Sequence, residues 1–203
     1  MNVLLLARHA QAASNVRDLV NAVPPGEGLS PEGAAEVLAL AGSLSGERID
    51  LGLSSRLRRT QETLAGALSG REVPCLVEPL LDEIGFGAFE GGPVGAYRAW
   101  AWSHGPADPC PGGGETRVAA ALRVAETLDV VLRRPEATIL AVSHALVVRY
   151  VLDAASGSPP GRHVAHVPHA VPFRLERAGV EQAGRMLRSW AAAPGFADTP
   201  SGG

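Results

Sequence analysis

Residues Asn2–Ala7 read Asn-Val-Leu-Leu-Leu-Ala, an almost unbroken apolar run of strand length. A strand with one wet face would alternate apolar and polar residues. This run does not, so it reads as a strand buried on both faces. Ile49–Leu53 and Thr138–Val142 read as further short strands, the second again buried. Helical patterns lie between them. Ser30-Pro31-Glu32 opens one, with a hydroxyl cap, proline at the first helical position and an acid in the first turn. Val37, Ala41 and Leu44 then share a face, and Gly46 offers an end. Ser54 or Ser55 caps a second helix running to about Leu68. Glu115 to about Arg134 forms a third, with Leu122, Ala125 and Leu132 inward, and Ala145–Ala154 a fourth. Val73–Val77, weakened by Pro74, and Val171–Leu175 complete the strands. Strands alternating with helices predict an α/β three-layer sandwich, a mostly parallel central sheet flanked by helices.

A chain of 203 residues, 46% of them hydrophobic, can fill one core. One domain is expected over 1–191, with a Gly/Pro-rich excursion at about 84–114 and a flexible tail at 192–203. The net charge of −3 argues against a strongly basic nucleic-acid binder. No apolar run approaches the ~20 residues of a membrane helix. The first run is also too short for a secretion signal, so a cytoplasmic location and no membrane partner are expected. Cys75 and Cys110 are too few for a disulfide framework and lack metal spacing. All 18 basic residues are arginine, which excludes lysine Schiff-base and P-loop chemistry.

Ligands of such sheets bind at the carboxyl ends of the strands. That rule selects Arg8-His9, the turn Ser54–Arg59 and Ser143-His144. Adjacent central strands lie ~5 Å apart, so His9 and His144 could face one site. Arg56, Arg58 and Arg59 crowd a helix start, where the dipole disfavours cations. They form either a solvated face or an anion site. Glu83, before an apolar Gly-rich loop, is either a solvated loop acid or a partly desolvated general acid. His163, His166 and His169 recur every three residues, but Pro168 leaves a metal geometry unfixed and surface or packing roles are favoured. No metal site is assigned.

In order along the chain, these segments resemble the histidine phosphatase superfamily, in its phosphoglycerate-mutase-like branch. Arg8-His9-Ala10-Gln11-Ala12-Ala13-Ser14-Asn15 is similar to the family's Arg-His-Gly-Glu-Thr-x-x-Asn signature. Leu29–Gly33 resembles its Leu-Thr-x-x-Gly helix start, and Ser55–Thr63 its Ser-x-Leu-x-Arg-Ala-x-x-Thr segment. Leu81–Gly91 looks like its acid loop, Gly113–Thr116 its Gly-Glu-Ser start, and Val142–Ala145 its Val-Ser-His-Gly. The resemblance implies a phosphatase with His9 as nucleophile and Arg8, Arg59 and His144 around the phosphoryl oxygens. Glu83 would be the proton donor. Gln11, Asn15 and Ala145 would lie against a small phosphorylated substrate, and no cofactor is implied.

Three departures stand out. Ala10 and Ala145 replace family glycines, and Ala12 replaces a hydroxyl that often touches phosphate. A required positive φ would strain alanine; an ordinary φ would merely narrow the pocket. A catalytically silent phospholigand-binding relative therefore stands beside the enzyme. A mutase is a third reading. Family mutases carry extra basic residues after the acid loop, but here residues 84–114 offer Arg98 and His104. They carry instead Tyr97, Trp100 and Trp102, which either line the site or pack a loop down. The oligomeric state is not legible.

Overall fold

In a computed structural model describing residues 1–196, the first apolar run becomes the strand β1, Val3–Arg8. With β2 (Leu51–Ser54), β3 (Cys75–Val77), β4 (Thr138–Ser143) and β5 (Pro172–Glu176) it forms one sheet, ordered β3-β2-β4-β1-β5. The β3–β2–β4–β1 pairings are parallel and β5 runs antiparallel to β1. The sheet is thus mixed but mostly parallel, as expected.

Successive residues of β1 enter two different cores. Leu4 and Leu6 pack in a cluster with Val124 and Leu128, Val147 and Val151, and Val180 and Leu187. Val3 and Leu5 pack in another with Val37, Leu40 and Leu64. The first cluster draws on α5 (Arg117–Arg133), α6 (Ala145–Ala155) and α7 (Arg177–Ala192). The second draws on α2 (Pro31–Ser43) and α3 (Arg58–Ala67). This is the three-layer sandwich, and each side chain buried within it contributes roughly 1.5–3 kcal/mol.

The caps behave as hydroxyl caps should. Gly33 N donates to Ser30 Oγ at 3.0 Å, and Ala119 N to Thr116 Oγ1 at 2.9 Å. Differences from the sequence reading are local. Gly46 does not end α2, which stops at Ser43. Leu122 does not face inward but is 47% exposed. It lies about 100° round the helix from buried Ala121. The inner face is built from Ala120, Ala121, Val124, Ala125 and Leu128, small enough to admit α7 closely. The excursion holds a helix, α4 (Val94–Ser103), and the loop after β1 holds a four-residue turn of helix, α1 (Ala13–Val16).

Trp190 Nε1 donates to Gly195 O at 2.7 Å, and Phe196 lies beside the Trp190 ring. Residues 197–203, most of the expected tail, fall outside the described residues. Among the described residues no helix is long and apolar enough to cross a membrane.

Candidate active site

β1 and β4 pair in register, Arg8 opposite Ser143, so His9 and His144 emerge side by side at the carboxyl edge. Their ring centroids are 5.2 Å apart. His9 Nδ1 lies 2.7 Å from Ala10 O. A carbonyl only accepts, so Nδ1 carries the proton and Nε2 the lone pair. Arg59 Nε donates to that Nε2 at 3.1 Å. Arg59 Nη2 donates to His144 Nδ1 at 3.2 Å, which leaves the His144 proton on Nε2, donating to Ser55 Oγ at 2.9 Å. Ser55 is held in turn by Thr60 Oγ1 at 2.9 Å and by Leu57 N at 3.1 Å. Ser55 is therefore not the helix cap but the support of the second imidazole.

Of the three crowded arginines, one enters the site. Arg56 pairs with Asp82 and Arg58 with Glu62, whereas buried Arg59 has no carboxylate within 4 Å among the described residues. Its third contact is Nη1 to Asn21 Oδ1 at 3.3 Å. Arg8 donates from Nη1 to Val167 O at 2.8 Å. Glu83 closes the group: Oε1 accepts from Ile84 N at 2.9 Å, and Oε2 is 4.0 Å from His144 Nδ1.

Electrostatics follow from burial. Desolvation, then Arg59 and Arg8, hold His9 well below the usual histidine range. Desolvation, then Arg59 and His9, do the same to His144. Desolvation pushes the Glu83 carboxyl up, against the pull of the Ile84 N–H and of Arg59 and Arg8. Both imidazoles are thus neutral acceptors at neutral pH, and the carboxyl is biased to keep its proton.

His9 and His144 have lowered folded-state pKa values. Their contribution is present above the unfolded value of ~6.5 and is lost as pH falls through the folded values. Glu83, being raised, acts oppositely and loses its contribution as pH rises. The two imidazoles are held well below their ordinary range and titrate in the unfolded chain within this window, so the melting temperature should drop between pH 7 and pH 5. The drop should shrink in His144→Asn. An equal drop in both proteins would contradict the buried neutral imidazole.

A cavity of about 320 Å³ is lined by Arg8, His9, Arg59, Glu83, Asn15 and Ala145, with Arg98, Arg117 and Asp18; fully buried His144 touches the group through Arg59 but is not part of this lining. Gln11 does not line it; its Oε1 accepts from Ser30 Oγ at 2.7 Å. Asn15 Oδ1 accepts from Ala12 N at 2.9 Å, bracing the loop after β1. Tyr97 and Trp102 line the cavity, while Trp100 stacks on His104 outside it. His166 and His169 line it, but His163 lies against Trp102. No cluster able to hold a metal occurs among the described residues. The non-glycine residues with positive φ there are Asp18 and Ala170, so Ala10, Ala12 and Ala145 carry no such strain.

Sequence reasoning missed Asn21, Asp18 and Arg117. The first two lie in a loop with no periodicity, and Arg117 reads as an ordinary helix residue.

The histidine phosphatase superfamily (branch 1) model matches residues 4–191. The alpha-ribazole phosphatase from Shigella flexneri is 26% identical, with a TM-score of 0.75 over 86% of this chain and 90% of that one. A Thermus thermophilus protein, TTHB049, is 27% identical, with a TM-score of 0.66 over 85% and 92%. A mycobacterial glucosyl-3-phosphoglycerate phosphatase shares the fold at 22% identity, with a TM-score of 0.71 over 87% and 91%. No curated protein matches the chain.

Proposed function

Because this chain belongs to the histidine phosphatase superfamily, branch 1, we propose that it hydrolyses a small phosphomonoester through a phosphohistidine on His9, without a metal. The observation that carries the reading is the His9 Nε2 lone pair, held by Arg59 Nε in a cavity rich in arginine. Phosphoryl transfer needs positioning and charge stabilisation more than covalent help. Arg8 and Arg59 supply donors for the phosphoryl oxygens, and His144, its Nε2–H on Ser55 and its Nδ1 on Arg59, holds the Arg59 guanidinium in place. The cations around them provide the field that a metal gives elsewhere.

Two displacements complete the cycle. His9 Nε2 attacks phosphorus while the bond to the ester oxygen breaks, and the Glu83 carboxyl gives that oxygen its proton. Water then attacks the phosphohistidine, Glu83 takes the water proton, and phosphate leaves with the P–N bond broken. The alpha-ribazole phosphatase among the similar structures supports a small organic phosphate as substrate. Tyr97 and Trp102 beyond the anion site suit an organic leaving group.

Glu83→Gln tests the proton donor. With an alkyl phosphate, turnover should fall by about 10²–10⁴-fold. With an aryl phosphate, whose phenolate leaves unaided, one equivalent of phenol should appear in a burst before a slow steady rate. In the parent protein kcat/KM should fall as pH rises through the raised Glu83 value. Unchanged turnover on both esters would remove Glu83 from the reaction.

A further inference from the structure

His169 is a second imidazole beside the nucleophile that no role assigned so far uses. Its ring centroid is 5.5 Å from that of His9, nearly the His9–His144 spacing of 5.2 Å. Three bonds stitch its segment to the end of β1. Arg8 Nη1 donates to Val167 O at 2.8 Å, Ala170 N to Arg8 O at 3.0 Å, and His169 Nδ1 to His9 O at 2.8 Å. Ala170 takes φ +52° to allow this, a conformation that side chains rarely adopt. A left-handed alanine beside a cavity histidine is a local expense that positions the ring.

The His9 carbonyl only accepts, so His169 Nδ1 carries a proton. Its Nε2 finds no protein partner among the described residues, yet it is not sealed from solvent. The ring lines the same cavity as Arg8 and His9. Arg8 faces it from the end of β1 and His9 from the residue after it, Glu36 from α2 and His166 from its own segment. Burial and Arg8 favour the neutral ring; the His9 carbonyl and Glu36 oppose them. A dianion entering beside Arg8 adds two negative charges and tips that balance toward imidazolium.

We propose that His169 is a third imidazole of the anion site: held by Nδ1–H on the His9 carbonyl, it turns Nε2 to the bound phosphoryl group and takes a proton from solvent as the dianion binds. It rests on the reading of this cavity as a phosphoryl site, and the test separates the two. The consequence is proton-linked anion affinity. A merely structural His169 would hold the His9 carbonyl and nothing more.

Sulfate is the probe, because it does not titrate near neutrality. Its binding is measured calorimetrically at pH 6, 7 and 8, in buffers of different ionisation heat, to count protons taken up. His169→Asn keeps a donor for the His9 carbonyl but has no titratable nitrogen. Relative to the parent, it should take up fewer protons and bind sulfate about 10-fold more weakly at pH 6. The gap should close to about 2-fold at pH 8, where the ring is reluctant to charge. Equal proton uptake and equal affinity at every pH would overturn the proposal, as would a parent protein that binds no sulfate. Should the variant not fold, the His169 ring nitrogens of the parent are followed by NMR at pH 7. Protonation on sulfate addition is expected, and an unchanged neutral ring overturns it. Linked sulfate binding without ester hydrolysis would refute the phosphatase and leave His169 standing; hydrolysis without linkage would do the reverse.

Discussion

His9→Ala should lose phosphate release by roughly 10⁴–10⁶-fold, the scale seen when a covalent nucleophile is removed. EDTA should leave the parent rate unchanged. The size of the effect follows from the geometry: His144, the imidazole delivered beside it, cannot replace the lone pair. His144 has its Nδ1 engaged by Arg59 Nη2 and its Nε2 by Ser55. Structure should survive, because Ala10 N bonds to Thr63 Oγ1 independently of the imidazole. The residual cavity leaves room for small nucleophiles, so added imidazole should restore a measurable fraction of turnover. Undiminished turnover in purified His9→Ala would exclude His9 as nucleophile.

Arg59→Met should lower kcat by about 10³–10⁵-fold, the range for a guanidinium on a transferring phosphoryl group. Lysine should rescue poorly. One fork reaches His9 Nε2, His144 Nδ1 and Asn21 Oδ1 together, and an ammonium on a flexible stem cannot. Stability should move the other way. A buried guanidinium without a carboxylate partner is held against desolvation, and methionine fills similar space. The thermal midpoint of Arg59→Met is therefore expected to be unchanged or higher. His9 and His144 should also titrate at higher pH, since Arg59 is the second cause lowering both, after burial. A collapse in stability with little loss of kcat would mark Arg59 as structural.

The parts of the site legible in the sequence are those fixed by strand ends. Arg8-His9 and Ser143-His144 follow unbroken apolar runs, and two parallel strands in register deliver them together. Arg59 was legible only as one of three. Neither spacing nor propensity distinguishes it from Arg56 and Arg58, because the choice is made by where Asp82 and Glu62 lie in space. Asn21 and Ser55 act through partners 38 and 89 residues away, so no local pattern marks their roles. His169 was visible as one of a histidine triplet, but its task depends on a left-handed turn at Ala170 that nothing in Val-Pro-His-Ala-Val announces.

The fold divides similarly. β1 and β4 were evident because burial on both faces leaves no polar alternation. α4 was hidden by Gly95 and by the Gly/Pro richness of its flanks, although Tyr97 and Ala101 stand one turn apart and are both buried. α7 was hidden by its small residues. Val180, Ala183, Gly184, Leu187 and Trp190 form a helical stripe, but two of the five are too small to read as apolar. They are small for a reason: α5 presents Ala120, Ala121 and Ala125 to the first cluster, where the same logic turned Leu122 outward.

On the proposed mechanism, phosphate reaches water by way of His9. The most direct test is the stereochemical course at phosphorus, followed with a chiral phosphorothioate ester hydrolysed in isotopically labelled water. Two in-line displacements, at His9 and then at water, give net retention, and retention is the expected result. Inversion would mean a single attack by water and would contradict the phosphohistidine.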